Sequence, residues 1–158
     1  MKSKSIHLRL GCVGVIKTFR CTPSVTQALV AEFERRLGCA LPPSYASFLT
    51  AHTDKSLDPS LVFPVLGDPP FGSPCTLDEL LAASDLIEND ENCCIGIPDL
   101  GLLHIGGDVL GLNLYMRVTD DGFGRILAAA PLSRDCYDVA DDFDAFLALC
   151  TPEMDTEP

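Results

Sequence analysis

Positive charge is scarce in this sequence. Its 158 residues carry 11 Lys and Arg against 23 Asp and Glu, a formal net charge of −12. Nucleic acid and anionic membrane surfaces are gripped through a cationic stripe, so this balance argues against both as partners. It is compatible with a basic partner, drawn in by charge complementarity, or with solubility alone. Long apolar runs are also missing. None approaches the roughly 20 residues of a membrane span. The N-terminal "IHLRLGCVGVIKTF" has His7, Arg9 and Lys17 inside it and no small-residue cleavage site after it, so it reads as mature protein in a reducing cytoplasm rather than as a signal peptide.

A third absence is the C-x-x-C pair. Eight cysteines occur, Cys12, Cys21, Cys39, Cys75, Cys93, Cys94, Cys136 and Cys150, without the short spacing of a zinc site. A disulfide framework would need an oxidising compartment. Cys12, Cys39 and Cys150 sit among apolar neighbours, where free cysteine behaves as a small buried hydrophobe. The vicinal pair Cys93–Cys94 stands out only as a place to check for oxidation.

What is present is an ordinary globular composition, 47% hydrophobic and 22% charged. The length predicts one domain spanning 1–158, with a core over about 22–150 and mobile ends at 1–5 and 151–158. Ile6 to Phe19 reads as a strand or a bulged hairpin. "TPSVTQALVAEFERRLG" places Val25, Leu29, Phe33 and Leu37 on one helical stripe. Thr22–Pro23 opens the helix, Ser24 and Gln27 form a competing capping box, and Gly38 closes it. Pro42–Pro43 then stiffens the link to a second helix bearing Tyr45, Phe48, Leu49 and His52.

Residues 55–74 read as a loop, with "SLVFPVL" as a short edge strand. Thr76 and Glu79 form a capping box ahead of an expected third helix with Leu77, Leu80, Leu81 and Ile87. "LLHIGGDVLGLNLYMRV" alternates as one strand region, with Leu110, Leu112, Leu114, Met116 and Val118 on the buried parity. "TDDGFG" is a hairpin turn and "RILAAAP" the returning strand. "DVADDFDAFLALC" is the closing helix, burying Val139, Phe143, Phe146, Leu147 and Cys150. Helices first, an antiparallel sheet next and a helix last make the fold class α+β.

Catalytic chemistry has little footing. His104 with Asp108 could be a general base and its orienting carboxylate. Asp120–Asp121–Gly122 lacks the alternating ligands of a calcium loop. The glycines beside Asp108 lead into no helix N-terminus that could cradle phosphate. Cys136 has Arg134 nearby, a mild hint of thiolate stabilisation. Tyr115 and Tyr137 read equally well as aromatics at the edge of the core. No nucleophile–base pair emerges.

One helix-turn-helix pattern is more specific. Glu34, Leu37 and Gly38 followed by Leu41, Pro42, Tyr45, Phe48 and Leu49 spell E-x-x-L-G and then L-P-x-x-Y-x-x-F-L. With the Ile105–Gly106–Gly107–Asp108 element and the final Phe143, Phe146, Leu147, this resembles the SUKH superfamily over roughly residues 22–150. The superfamily groups yeast Smi/Knr-type cell-wall regulators with bacterial immunity proteins of polymorphic toxin systems. The Gly-Asp element is compressed here, and Asn113–Leu114 stands where an acidic residue is often found.

The resemblance implies helices packed on a mainly antiparallel sheet, no catalysis and no cofactor. It also implies an immunity protein that binds and neutralises a toxin domain, with a basic nuclease among the candidates. A Smi/Knr-like regulatory scaffold is the alternative, and a hydrolase built on His104 the lesser one. For a basic toxin domain, the loop carboxylates expected to make contact are Glu88, Asp90, Glu91, Asp99, Asp108, Asp120 and Asp121. Which toxin is bound, and whether the chain self-associates, stay open.

Overall fold

The computed structural model describes residues 23–92 and 95–153. The expected strand over Ile6–Phe19, the Thr22 cap and four of the cysteines (Cys12, Cys21, Cys93 and Cys94) lie outside these residues. Helix α1 (Pro23–Leu37) buries Val30 and Phe33, with Leu29 and Leu37 half-buried beside them. It ends where Gly38 takes φ +78° and donates its amide to the Glu34 carbonyl. That left-handed position is open to glycine at little steric cost. Helix α2 (Pro43–Ala51) starts at once, with proline in its first turn and Tyr45, Phe48 and Leu49 buried.

The two helices share one apolar surface, as the proline pair requires. What locks their elbow is polar. The Glu34 carboxylate accepts the Leu41 amide at 2.8 Å.

Strand β1 (Ser56–Phe63) is longer than expected and lies inside the sheet, not at its edge. Its register shifts between Ser56 and Leu61, which is where Pro59 is accommodated without a ladder donor. Strand β2 (Cys75–Leu80) replaces the first half of the expected third helix. Thr76 and Glu79 are strand residues; the burial of Cys75 and Leu77 follows the pleat, and Leu80 at the strand's end is buried from the other parity. Helix α3 (Ala83–Glu91) begins later, where the Asp85 carboxylate accepts the Ala82 amide at 2.8 Å.

After α3 come β3 (Gly96–Ile97), a 3₁₀ turn (Pro98–Leu100), β4 (Leu102–Gly107) and β5 (Asn113–Arg117). The region expected as one alternating strand is thus a hairpin, turning at residues 108–112. Leu112, Leu114 and Met116 are buried as expected, whereas Leu110 is 85% exposed because it falls on the turn. Strand β6 (Ile126–Ala129) returns from the expected turn, and β7 (Tyr137–Ala140) pairs with it. Val139 is therefore buried from a strand. The closing helix α4 is shorter than expected, Phe143–Leu149, with Asp142 as N-cap accepting the Ala145 amide at 2.7 Å. Thr151–Pro152, expected in a mobile tail, form β8 against β1.

Every strand pair is antiparallel, in the order β7-β6-β5-β4-β2-β1-β8, with β3 alongside β4. The main core holds Phe33, Tyr45 and Phe48 of the helices, Phe63, Leu77, Ile105 and Leu114 of the sheet, and Phe143 and Phe146 of α4. The other parity of the sheet carries a smaller cluster of Leu102, Tyr115, Leu127 and Ala129. The fold class is α+β, as the sequence predicts. No helix among the described residues is long and apolar enough to cross a membrane.

Candidate functional site

The hairpin geometry places His104 on a strand and Asp108 in the turn beyond it. His104 is half-buried on β4, its ring 5.7 Å from that of Tyr115, and burial pushes its pKa down. Asp108 lies past the end of the strand. Its Oδ1 accepts the amides of Leu110 at 2.9 Å and Leu112 at 2.8 Å, so it organises the turn rather than an imidazole.

Cys136 does not gain thiolate character. Burial pushes its thiol pKa up, and Arg117 and Arg134 offset only part of that. Cys39, Cys75 and Cys150 are likewise raised by burial, Cys150 to about 12. Among the described residues, no group of three or more His, Cys, Asp and Glu side chains comes together as a metal site. An open polar depression of about 350 Å³ is lined by Thr53, Asp54, Lys55, Ser84 and Asp85. Asp54 and Asp85 already accept the Ser56 and Ala82 amides there.

The seven carboxylates expected at an interface divide into three kinds. Asp90 and Glu91 hold Arg36 of α1, at 3.5 and 3.1 Å, and Asp99 pairs with Arg134. The Arg134 guanidinium draws the Asp99 pKa down. Asp108 belongs to its own turn. Glu88, Asp120 and Asp121 are exposed.

Location matters as much as pairing. The Arg36 bridges bring the end of α3 to the end of α1, and Cys39 just beyond donates its thiol to the Val118 carbonyl. Val118 in turn donates its amide to Gly101, beside Asp99 and before Asp120. Six of the seven therefore gather around the α1–α2 elbow. Asp108 sits at the opposite end of β5.

Asp138 and Asp141, at 3.5 and 3.8 Å from Arg125, join the elbow end. Sequence reasoning missed them because it placed both in a helix. Five arginines are held by carboxylates or carbonyls: Arg35 and Arg36 by Glu32, Arg117 by the Leu100 carbonyl, Arg125 and Arg134 by aspartates. The hydrogen bonds from Arg35 and Arg36 draw the Glu32 pKa down to about 2.

Helix α3 has no basic residue in its last turn but carries Glu88, Asp90 and Glu91 there. Carboxylates at the negative end of a helix dipole oppose the fold's own electrostatics. The result is an end of the molecule where carboxylates outnumber the arginines that hold them, on an α+β scaffold of helices packed against an antiparallel sheet. That scaffold is one of known type: residues 24–149 match the SMI1 / KNR4 family (SUKH-1), and the chain belongs to that family. No curated protein matches it closely.

Proposed function

We propose that this chain is a cytoplasmic, non-catalytic immunity protein that binds and neutralises the effector domain of a bacterial polymorphic or contact-dependent toxin. Membership of the SUKH-1 family supports the immunity role. The observation that carries the electrostatic part is the placement of Glu88, Asp90 and Glu91 at the negative end of α3, with exposed Asp120 and Asp121 at the same end of the molecule. Arg36 offsets part of this charge through Asp90 and Glu91, and the exposed Glu88, Asp120 and Asp121 favour a cationic ligand. A nuclease effector, whose cleft must hold phosphates, fits that description, and Glu88, Asp90, Glu91, Asp99, Asp120 and Asp121 are its proposed contacts. Asp108 contributes to turn geometry instead.

The test is growth of cells expressing a candidate toxin effector domain taken from the genes flanking this chain's, with and without the chain, followed by co-purification. Rescue with a stable complex supports the proposal. Toxicity with neither rescue nor binding overturns it, and favours the Smi/Knr-like regulatory scaffold that the family's name also supports.

A further inference from the structure

Large aliphatic side chains are seldom fully exposed at the centres of tight turns, where Gly, Asn, Asp and Pro dominate. Two neighbouring turns of this protein break that rule together. In the β4–β5 turn the Gly111 amide returns to the Asp108 carbonyl at 3.3 Å, which puts Val109 and Leu110 at the two central positions, 86% and 85% exposed. In the β6–β7 loop the Ser133 amide returns to the Ala130 carbonyl at 3.1 Å, with Pro131 and Leu132 between them. Leu132 is fully exposed, at 103%, and has φ +60°, the only positive φ outside glycine among the described residues. That position of a Pro-initiated turn suits glycine or asparagine, and a leucine there is strained.

The two turns touch. A Cβ on Gly111 would lie 2.9 Å from the Pro131 ring, so Leu110 and Leu132 flank one contact.

The β4–β5 turn is also braced from across the sheet. Asp78 of β2 accepts the Val109 amide at 2.8 Å through one carboxylate oxygen and the Ser60 hydroxyl at 2.6 Å through the other. Asp108 fixes the next amides from within. Residues of two strands and of the turn itself thus hold two exposed aliphatic residues in one geometry. Preorganisation of this kind lowers the ordering cost of binding, and buried aliphatic or aromatic anchors are what give protein interfaces most of their energy. The charges around the turns set the partner's chemistry. Among the described residues, Asp78 and Asp108 form no ion pair, while the nearby cations Lys55 and Arg134 are held by Glu79 and Asp99.

We propose that Val109, Leu110 and Leu132 form an apolar anchor that inserts into an apolar cleft, rimmed by lysine or arginine, on the chain's protein partner. The proposal rests on the immunity reading and adds a second contact region, at the end of β5 opposite the acidic elbow.

The experiment measures affinity between the full chain and the effector domain identified by the growth test, for wild type and for Val109→Ser/Leu110→Ser/Leu132→Gly. Melting midpoints are measured for the triple variant and for Leu132→Gly alone. The expected result is at least about 100-fold weaker binding by the triple variant. Leu132→Gly alone should melt no lower than wild type, because glycine relieves the positive φ. Better stability with poorer binding is the signature of a residue kept for contact.

Binding by the triple variant within about threefold of wild type overturns the anchor and leaves the immunity reading intact. A lower melting midpoint for Leu132→Gly overturns the claim that Leu132 is held against its backbone preference. No binding by wild type overturns the immunity reading itself. A wild-type dimer in sedimentation that the triple variant dissolves assigns the turns to self-association and overturns the partner named here.

Discussion

Glu34 and Leu41 are seven residues apart, and the carboxylate of the first accepts the amide of the second at 2.8 Å. This bond spans the elbow between α1 and α2 and gives physical meaning to the spacing E-x-x-L-G-x-x-L-P. The glutamate must stand one turn before the helix stop to reach the amide beyond it. Gly38 must turn left-handed so that the chain doubles back, and Pro42 then commits the next residues to a new helix. Glu34→Ala should cost about 1–3 kcal/mol, the loss of a charge-assisted hydrogen bond to a part-buried amide. Glu34→Gln keeps an acceptor and should recover most of that loss in denaturant melts. A loss below about 0.5 kcal/mol for Glu34→Ala would show that the bond contributes nothing.

Tyr45 and Phe48 lie side by side on α2, and both pack against Phe143 with ring centroids 4.9 Å away. They should nevertheless respond in opposite directions. Phe48 is 3% exposed, and Phe48→Ala should lower stability by about 3–5 kcal/mol. The Tyr45 hydroxyl is buried without a hydrogen-bond partner among the described residues, and burial raises its pKa. Removing that hydroxyl relieves a desolvation cost of about 1–3 kcal/mol. Tyr45→Phe should therefore leave the midpoint unchanged or raise it. A loss of more than about 1 kcal/mol would show that the hydroxyl is satisfied in solution.

The helices α1 and α2 were legible because amphipathic period, proline and glycine all point the same way. The later elements were misread where two local signals competed. Thr76 and Glu79 have capping-box spacing, but Cys75, Leu77 and Leu80 also suit a strand, and pairing with β1 and β4 decided the matter. Val109 and Leu110 continued the alternation through a turn that should have been polar, so two strands read as one. The same anomaly marks the proposed anchor. The acidic residues were visible in the sequence, but their arginine partners come from distant elements, and no local pattern announces that Arg36 will meet Asp90 or Arg134 meet Asp99.

His52 should make stability depend on pH. It is 2% exposed, stacked on Phe48, with Nε2 2.6 Å from the Leu80 carbonyl, to which the neutral ring donates. Burial lowers its pKa, and the Leu80 carbonyl, Asp54 and Asp85 oppose that only in part. An unfolded histidine titrates near about 6.5. Below that pH the unfolded chain takes up a proton that the folded chain refuses, so stability falls as pH drops from about 7 toward 5 and rises with pH through the same window. Denaturant midpoints across this range should slope accordingly, and His52→Gln should flatten the slope. An unchanged slope would assign the effect elsewhere, first to His104, whose pKa burial also lowers.

Charge reversal at the elbow end separates steering from contact. Asp90 is unsuitable for this, because a lysine there would face Arg36. Glu88, Asp120 and Asp121 are exposed and appear in no ion pair among the described residues. Glu88→Lys places a cation near the negative end of α3, where the dipole favours it. Asp120→Lys and Asp121→Lys alter a solvated turn. Folding should shift by no more than about 0.5 kcal/mol per site. Binding to a basic effector domain should weaken mainly through slower association, since rim charges act on encounter. The defect should shrink as salt is raised, because exposed charges are screened over about 8–10 Å at physiological ionic strength. The anchor variant should behave in the opposite way, with faster dissociation and little salt dependence. A charge-reversal defect of the same size at low and high salt would mean that these carboxylates make direct, desolvated contacts and that steering is not their role.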